Sequence, residues 1–230
     1  MRNNIDDQIQ KIQNLLEIKK CIEEVKTNYR PYDPGNYLYK QLLKTKQIKD
    51  KFTDKYIELI YTTLSAWNMN SRGAKLANFD VFLKTLQSNK HKIIPLSKFK
   101  LHNLDNPEEI LAKLHELFDC LELVGTNHNG DSKPLLVTFS KTMHFLLPDL
   151  IVPIDRSYTL KFFYNNTLVP KLRSKQFNKF MQLFKLFLEY ASTHSELKSK
   201  IDKNWNQNIP KIIDNIIIGY VRRHKEAKTK

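Results

Sequence analysis

The chain has 230 residues, a formal net charge of +14, 41% hydrophobic and 11% aromatic residues. That composition excludes a disordered polypeptide. With 5 glycines and 9 prolines, it also excludes a turn-rich β architecture.

Apolar residues at Ile5, Ile12, Leu15, Leu16, Ile18, Ile22 and Val25 recur at helical spacing and predict one amphipathic helix over about 4–28. YRPYDPGNY then breaks regular structure, and a short helix at about 36–47 follows. Thr53 is an N-cap for a helix over about 54–66 with Ile57, Ile60, Tyr61 and Leu64 inward. WNMNSRG interrupts it before a helix at about 72–87 that carries Leu76, Phe79, Phe82, Leu83 and Leu86. HKIIPLSKFKL reads as a loop or short irregular segment. Asn106-Pro107-Glu108-Glu109 starts a helix running to about Leu123, with Pro in the first turn and acids behind it. VGTNHNGDSKP is the most polar loop. An almost wholly apolar helix at about 134–147 follows, then a helix at about 156–165 capped by Asp155 or Ser157. Phe177–Tyr190 is aromatic and amphipathic, and the last helix spans about 209–224. The pattern predicts a single all-α domain over 1–230 with two lobes, 54–150 and 1–53 plus 151–224, a cleft between them, and a basic tail at 225–230.

Residues 156–230 hold 16 Lys+Arg against 5 Asp+Glu, a net +11, while residues 1–155 carry only +3. A basic last third favours an anionic partner, nucleic acid being the commonest soluble one; the plain alternative is a lysine-rich solvated surface. MRNNIDDQIQ lacks an apolar signal core, and no run approaches the ~20 apolar residues of a membrane span. Two isolated cysteines, Cys21 and Cys120, fit a reducing compartment. These features predict a cytoplasmic protein with no membrane partner. The histidines are scattered, with no H-x-x-x-H pair, and no Walker loop, GxSxG or GxGxxG occurs, so neither metal nor cofactor is expected.

The 135–163 stretch carries the chemistry. Ser140, Lys141 and His144 form a thin polar stripe on the apolar helix. It is either a helix edge with Lys141 snorkelling and His144 a satisfied interior histidine, or the polar wall of a pocket facing Asp155. Asp155, opening the next helix beside Arg156, is either a plain N-cap or a carboxylate at a cleft edge that activates water or stabilises a developing cation. Gly125 and Gly130 bracket a loop that either turns the chain or approaches a phosphate, with Lys133 behind it. Trp67, Asn70, Arg72 and Lys75 are either a core anchor with surface neighbours or a nucleobase-stacking cluster.

The order of these parts resembles the helix-hairpin-helix DNA glycosylase superfamily. Val152-Pro153-Ile154-Asp155-Arg156-Ser157-Tyr158 is similar to the family's P-V-D helix opening, and Gly125–Pro134 lies where its hairpin would be, with VGTNHNGDSKP in place of an L-P-G-V-G-like run. The likeness covers about residues 54–190. It implies a hydrolase of DNA repair in which Asp155 is the catalytic carboxylate. It also implies that Lys133 or Lys141 attacks the sugar in members that cleave the strand, with Trp67, Asn70, Arg72, Lys75, Gly130, His144 and Arg156 toward DNA. Without a four-cysteine cluster the iron–sulfur subgroup is excluded. The alternatives are a non-catalytic nucleic-acid-binding protein and a protein-interaction or defence-associated module.

Overall fold

The computed structural model describes residues 5–28, 33–67, 75–126 and 132–226. Among these the regular elements are all helical, as the apolar spacing predicts: α1 (Ile5–Gln10), α2 (Leu15–Asn28), α3 (Pro34–Leu42), α4 (Asp54–Ala66), α5 (Phe79–Ser88), α6 (Lys90–Ile93), α7 (Pro107–Cys120), α8 (Leu136–Leu146), α9 (Lys161–Tyr164), α10 (Arg173–Thr193) and α11 (Ile209–Glu226). Short 3₁₀ turns at Ile48–Phe52, Ile94–Lys98 and Ser195–Lys200 and a π-helical turn at Arg156–Leu160 join them. No helix among the described residues is long and apolar enough to cross a membrane.

Helix α8 is the axis of the molecule. All its residues are buried, and α4 and α10 pack on it. A helix apolar on every side is stable only when enclosed. Its first amides lie too deep for water, so the Gln176 side-chain carbonyl accepts from Leu135 N–H at 2.8 Å and Leu136 N–H at 3.0 Å. At its other end the buried Lys51 ammonium donates to the Phe145 and Leu146 carbonyls at 3.3 and 2.9 Å. Helix α11 carries Ile212, Ile213, Ile216 and Ile217 into the same core, which draws buried residues from both expected lobes. Helices α2 and α11 pack closely: a Cβ on Gly219 would lie 2.8 Å from the Cys21 Cα and nearer still to its carbonyl.

Several boundaries differ from the sequence pattern. The single helix expected over 4–28 is two, because the Tyr190 hydroxyl donates to the Ile12 carbonyl at 2.6 Å and Asn14 Oδ1 accepts from Leu16 N–H at 2.8 Å, capping α2 afresh. Leu15 and Leu16, expected inward, are exposed. The helix expected from 72 begins only at Phe79: Gly125 N–H donates to the Lys75 carbonyl at 3.0 Å and Ala77 N–H to the Leu123 carbonyl at 3.1 Å, so this stretch pairs laterally. Helix α7 stops at Cys120, where the Arg173 guanidinium takes the Phe118 and Leu121 carbonyls at 2.7 and 3.1 Å. The loop or short irregular segment expected after 90 is mostly the four-residue α6 and a 3₁₀ turn. Helix α11 continues through Glu226, inside the expected tail, whose last four residues lie outside the described chain.

Gly219→Ala tests the α2–α11 contact. The new methyl meets backbone rather than a movable side chain, so the expected loss is roughly 1–3 kcal/mol or more, read as a lowered denaturation midpoint. Unchanged stability would mean that the helices do not lie this close.

Candidate functional site

Three polar side chains of α8 converge on one extended link, residues 151–155. Ser140 Oγ accepts from Ile154 N–H at 3.0 Å and donates to the Val137 carbonyl at 3.0 Å. His144 Nδ1 lies 2.6 Å from the Ile151 carbonyl, and a carbonyl can only accept, so Nδ1 carries the proton. Its Nε2 then accepts from the Tyr39 hydroxyl at 2.7 Å, and Tyr39 in turn accepts from Asn208 Nδ2 at 3.0 Å. Burial pushes the ring's pKa down to about 3, against the opposing Ile151 hydrogen bond, so His144 is neutral. Lys141 Nζ meets Asp155 Oδ2 at 3.0 Å, with the lysine side chain 6% exposed and the aspartate 30%.

Asp155 is held on several sides. Its Oδ1 accepts from Ser157 N–H at 2.8 Å, and its own N–H donates to Thr159 Oγ1 at 3.0 Å, a reciprocal cap. The turn it opens is π-helical, closed by Leu160 N–H on the Asp155 carbonyl at 2.9 Å, a geometry frequent at functional sites. Burial alone would raise this carboxyl; the Lys141 charge and hydrogen bond, with the Ser157 and Tyr158 amides, outweigh it and hold the group below the usual carboxylate value.

A second buried pair faces it. Lys211 and Asp214 stand three apart on α11, 2.5 Å between Nζ and Oδ2, with side chains 10% and 6% exposed. Burial raises the Asp214 carboxyl, Lys211 opposes this, and the neighbouring Asp155 charge adds to the rise. Trp67 lies between the pairs: Lys141 Nζ and Lys211 Nζ each stand 5.5 Å from its ring centroid, within cation–π range. Gly35 lets the indole approach α3, since a Cβ there would sit 2.7 Å from the ring. Both pairs, Trp67, Tyr158 and Trp205 line one cavity of about 440 Å³. Among the described residues its lining holds two lysines and three aspartates, the third being Asp33, which caps α3.

Of the residues singled out from sequence, the fold brings Asp155, Lys141 and Trp67 together. Lys141 is not a snorkelling edge residue; its ammonium is enclosed and paired. His144 cannot touch nucleic acid, because it is fully buried with both ring nitrogens engaged. Lys133 and Lys75 do not line the cavity, and Arg156 is exposed, donating from Nε to the Thr167 carbonyl at 2.8 Å. The helix start behind the glycine loop is no phosphate site, since Gln176 occupies its amides. Asn70, Arg72 and Gly130 lie outside the described residues. The basic last third is partly spent internally: Arg173 on α7 carbonyls, Lys185 on Glu108, Lys211 on Asp214 and Arg223 on Glu17. Sequence reading passes over Lys211 and Asp214, although I-P-K-I-I-D-N-I-I-I carries the signal that marks α8, charge inside an apolar helix. Tyr39 and Trp205 leave no such trace.

No protein-family model matches the chain, and it matches no curated protein and no solved structure.

Two measurements check this geometry. Asp155→Ala strands the Lys141 ammonium and should cost roughly 2–4 kcal/mol, somewhat below a sealed pair because part of Asp155 is accessible; Asp155→Asn, which keeps a side-chain cap acceptor, should cost less. His144 gives a pH test. The folded state resists protonation down to about 3 while the unfolded ring takes its proton near 6.5, so stability falls as pH drops through that window. Relative to His144→Gln, the wild type should lose stability with acid at a limiting slope of about 1.4 kcal/mol per pH unit. Parallel curves would show that His144 is not buried neutral.

Proposed function

We propose that the chain binds DNA and releases a base from it, the cavity receiving a nucleobase turned out of its stack and Asp155 acting on its sugar. The observation that carries this reading is the Lys141–Asp155 ion pair opening on an aromatic-lined cavity of about 440 Å³. Trp67, Tyr158 and Trp205 supply aromatic lining of the kind that packs against a flat heterocycle. The Asp155 carboxylate in its wall favours a sugar acquiring positive charge. As the C1′–N bond breaks, its electron pair leaves with the base and Asp155 stabilises the oxocarbenium-like sugar. Water then adds to C1′ and yields its proton to the carboxylate. The Lys141 ammonium keeps Asp155 ionised and oriented. Committed to that pair, it is not the nucleophile that strand cleavage would need, so the reading is a hydrolytic glycosylase without lyase activity. The similarity of Val152–Tyr158 to the helix-hairpin-helix glycosylase opening supports the same role for Asp155.

One observation favours a non-catalytic nucleic-acid-binding role instead. Both oxygens of Asp155 already have partners, Ser157 N–H and Lys141 Nζ, which is what a structural cap requires.

A screen over duplexes bearing single damaged or mismatched bases, with and without alkali, separates the two. The expected result is strand breakage only after alkali on at least one substrate, reduced about a hundredfold or more in Asp155→Asn. Breakage without alkali would overturn the hydrolytic assignment. Full activity in Asp155→Asn, or none on any substrate with wild type, would leave the binding role.

A further inference from the structure

A larger cavity, a groove of about 1040 Å³, lies at the C-terminal end of α3. Tyr39 faces the aromatic cavity and Lys40 the groove; likewise Trp205 lines the first and Gln207 and Asn208 the second. The two cavities thus border on α3 and on the 202–208 turn, a partition they have in common. Asp202 stiffens that turn by accepting from the amides of Asn204, Trp205 and Asn206 at 2.7, 2.7 and 3.2 Å. Asn215 holds it from α11, donating to the Trp205 carbonyl at 2.7 Å.

Among the described residues the groove is lined by five lysines, Lys40, Lys44, Lys46, Lys51 and Lys203, against two aspartates, Asp149 and Asp202. Asp202 disperses its charge into the backbone amides it caps, and Lys51 lies in the wall beneath α8. Lys44, Lys46 and Lys203 are exposed, and Lys40 leans across the partition, its Nζ 5.9 Å from the Trp205 ring centroid. Between the lysines the lining is apolar, with Leu43, Ile48 and Phe99. Cationic sides over an apolar bed match a chain whose phosphates face outward and whose sugars and bases face in, the pattern of single-strand grooves.

We infer that this groove binds the sugar–phosphate backbone of a single nucleic-acid strand. The phosphate-binding surface then belongs chiefly to α3 and the turn after it, with Lys203 alone coming from the basic last third. The inference rests with the proposed function on the premise that the ligand is nucleic acid, and needs no catalysis.

The test is binding of a fluorescent oligodeoxynucleotide strand, followed by anisotropy across a salt series. The Lys44→Gln/Lys46→Gln/Lys203→Gln protein is compared with Lys161→Gln/Lys171→Gln/Lys175→Gln, which removes the same charge from other exposed positions. The groove variant should lose about tenfold or more in affinity at low salt and flatten the log–log salt slope by about 2, while the control stays near wild type. Equal losses in both triple variants, no strand binding by wild type, or competition by polyglutamate as effective as by unlabelled strand would each overturn the inference. Groove-dependent binding with no base release on any substrate would refute the glycosylase reading and leave the groove standing. Base release insensitive to the groove lysines would do the reverse.

Discussion

A helix enclosed on every side cannot send a polar side chain to water, so a polar group on α8 is costly unless it finds a partner within the protein; among the described residues the Thr138 and Thr142 hydroxyls find none, and the three stronger hydrogen-bonding groups all do. Ser140, Lys141 and His144 find theirs in one place, the 151–155 link, through Ile154 N–H, the Asp155 carboxylate and the Ile151 carbonyl. The link is thereby held at three points within five residues. The direction of Asp155, the position of the π-helical turn behind it and the entry to α9 follow from that clamp. It resists slippage, because sliding the link by a single residue would leave several buried groups unsatisfied at once.

Two buried ion pairs around one indole are poorly explained as stability devices. Withdrawing an ammonium and a carboxylate from water costs several kcal/mol per ion before their attraction is counted, and an apolar replacement often does as well. The two pairs are also unequal: Asp155 receives a lysine and backbone amides and is held acidic, whereas Asp214 is more deeply buried and raised. Carboxyl groups pushed apart in acidity on the wall of one cavity are a common arrangement where proton transfer is needed.

Much of this was legible in the chain. Apolar spacing marks α4, α7, α8, α10 and α11, and Thr53 and Asn106 cap where their side chains suggest, accepting from Tyr56 N–H and Glu109 N–H. The polar stripe and Asp155 stand out because charge within an apolar run is costly. What stays hidden depends on partners distant in sequence. Nothing near residue 12 announces that Tyr190 will take its carbonyl and divide the first helix. Gln176 resembles any surface glutamine of an amphipathic helix, yet it caps α8. Tyr39 and Asn208 reach His144 from 105 residues before it and 64 after, so no local pattern joins them. Lys211 and Asp214 are the exception, a local signal overshadowed by the isoleucines around them.

The partition between the cavities has a consequence of its own. Helix α3 is anchored through Tyr39 to His144 and, by way of Asn208, to the start of α11, whose Lys211 N–H donates to Asn208 Oδ1 at 2.8 Å. A tightly packed wall of this kind does not deform on one face while its other face stays still. Occupancy of the two chambers is therefore thermodynamically linked wherever either occupant shifts α3. Whatever factor the first guest imposes on the second, the second imposes on the first. In these terms α3 is a wall common to two compartments, and the Tyr39–His144 hydrogen bond is one of its fastenings.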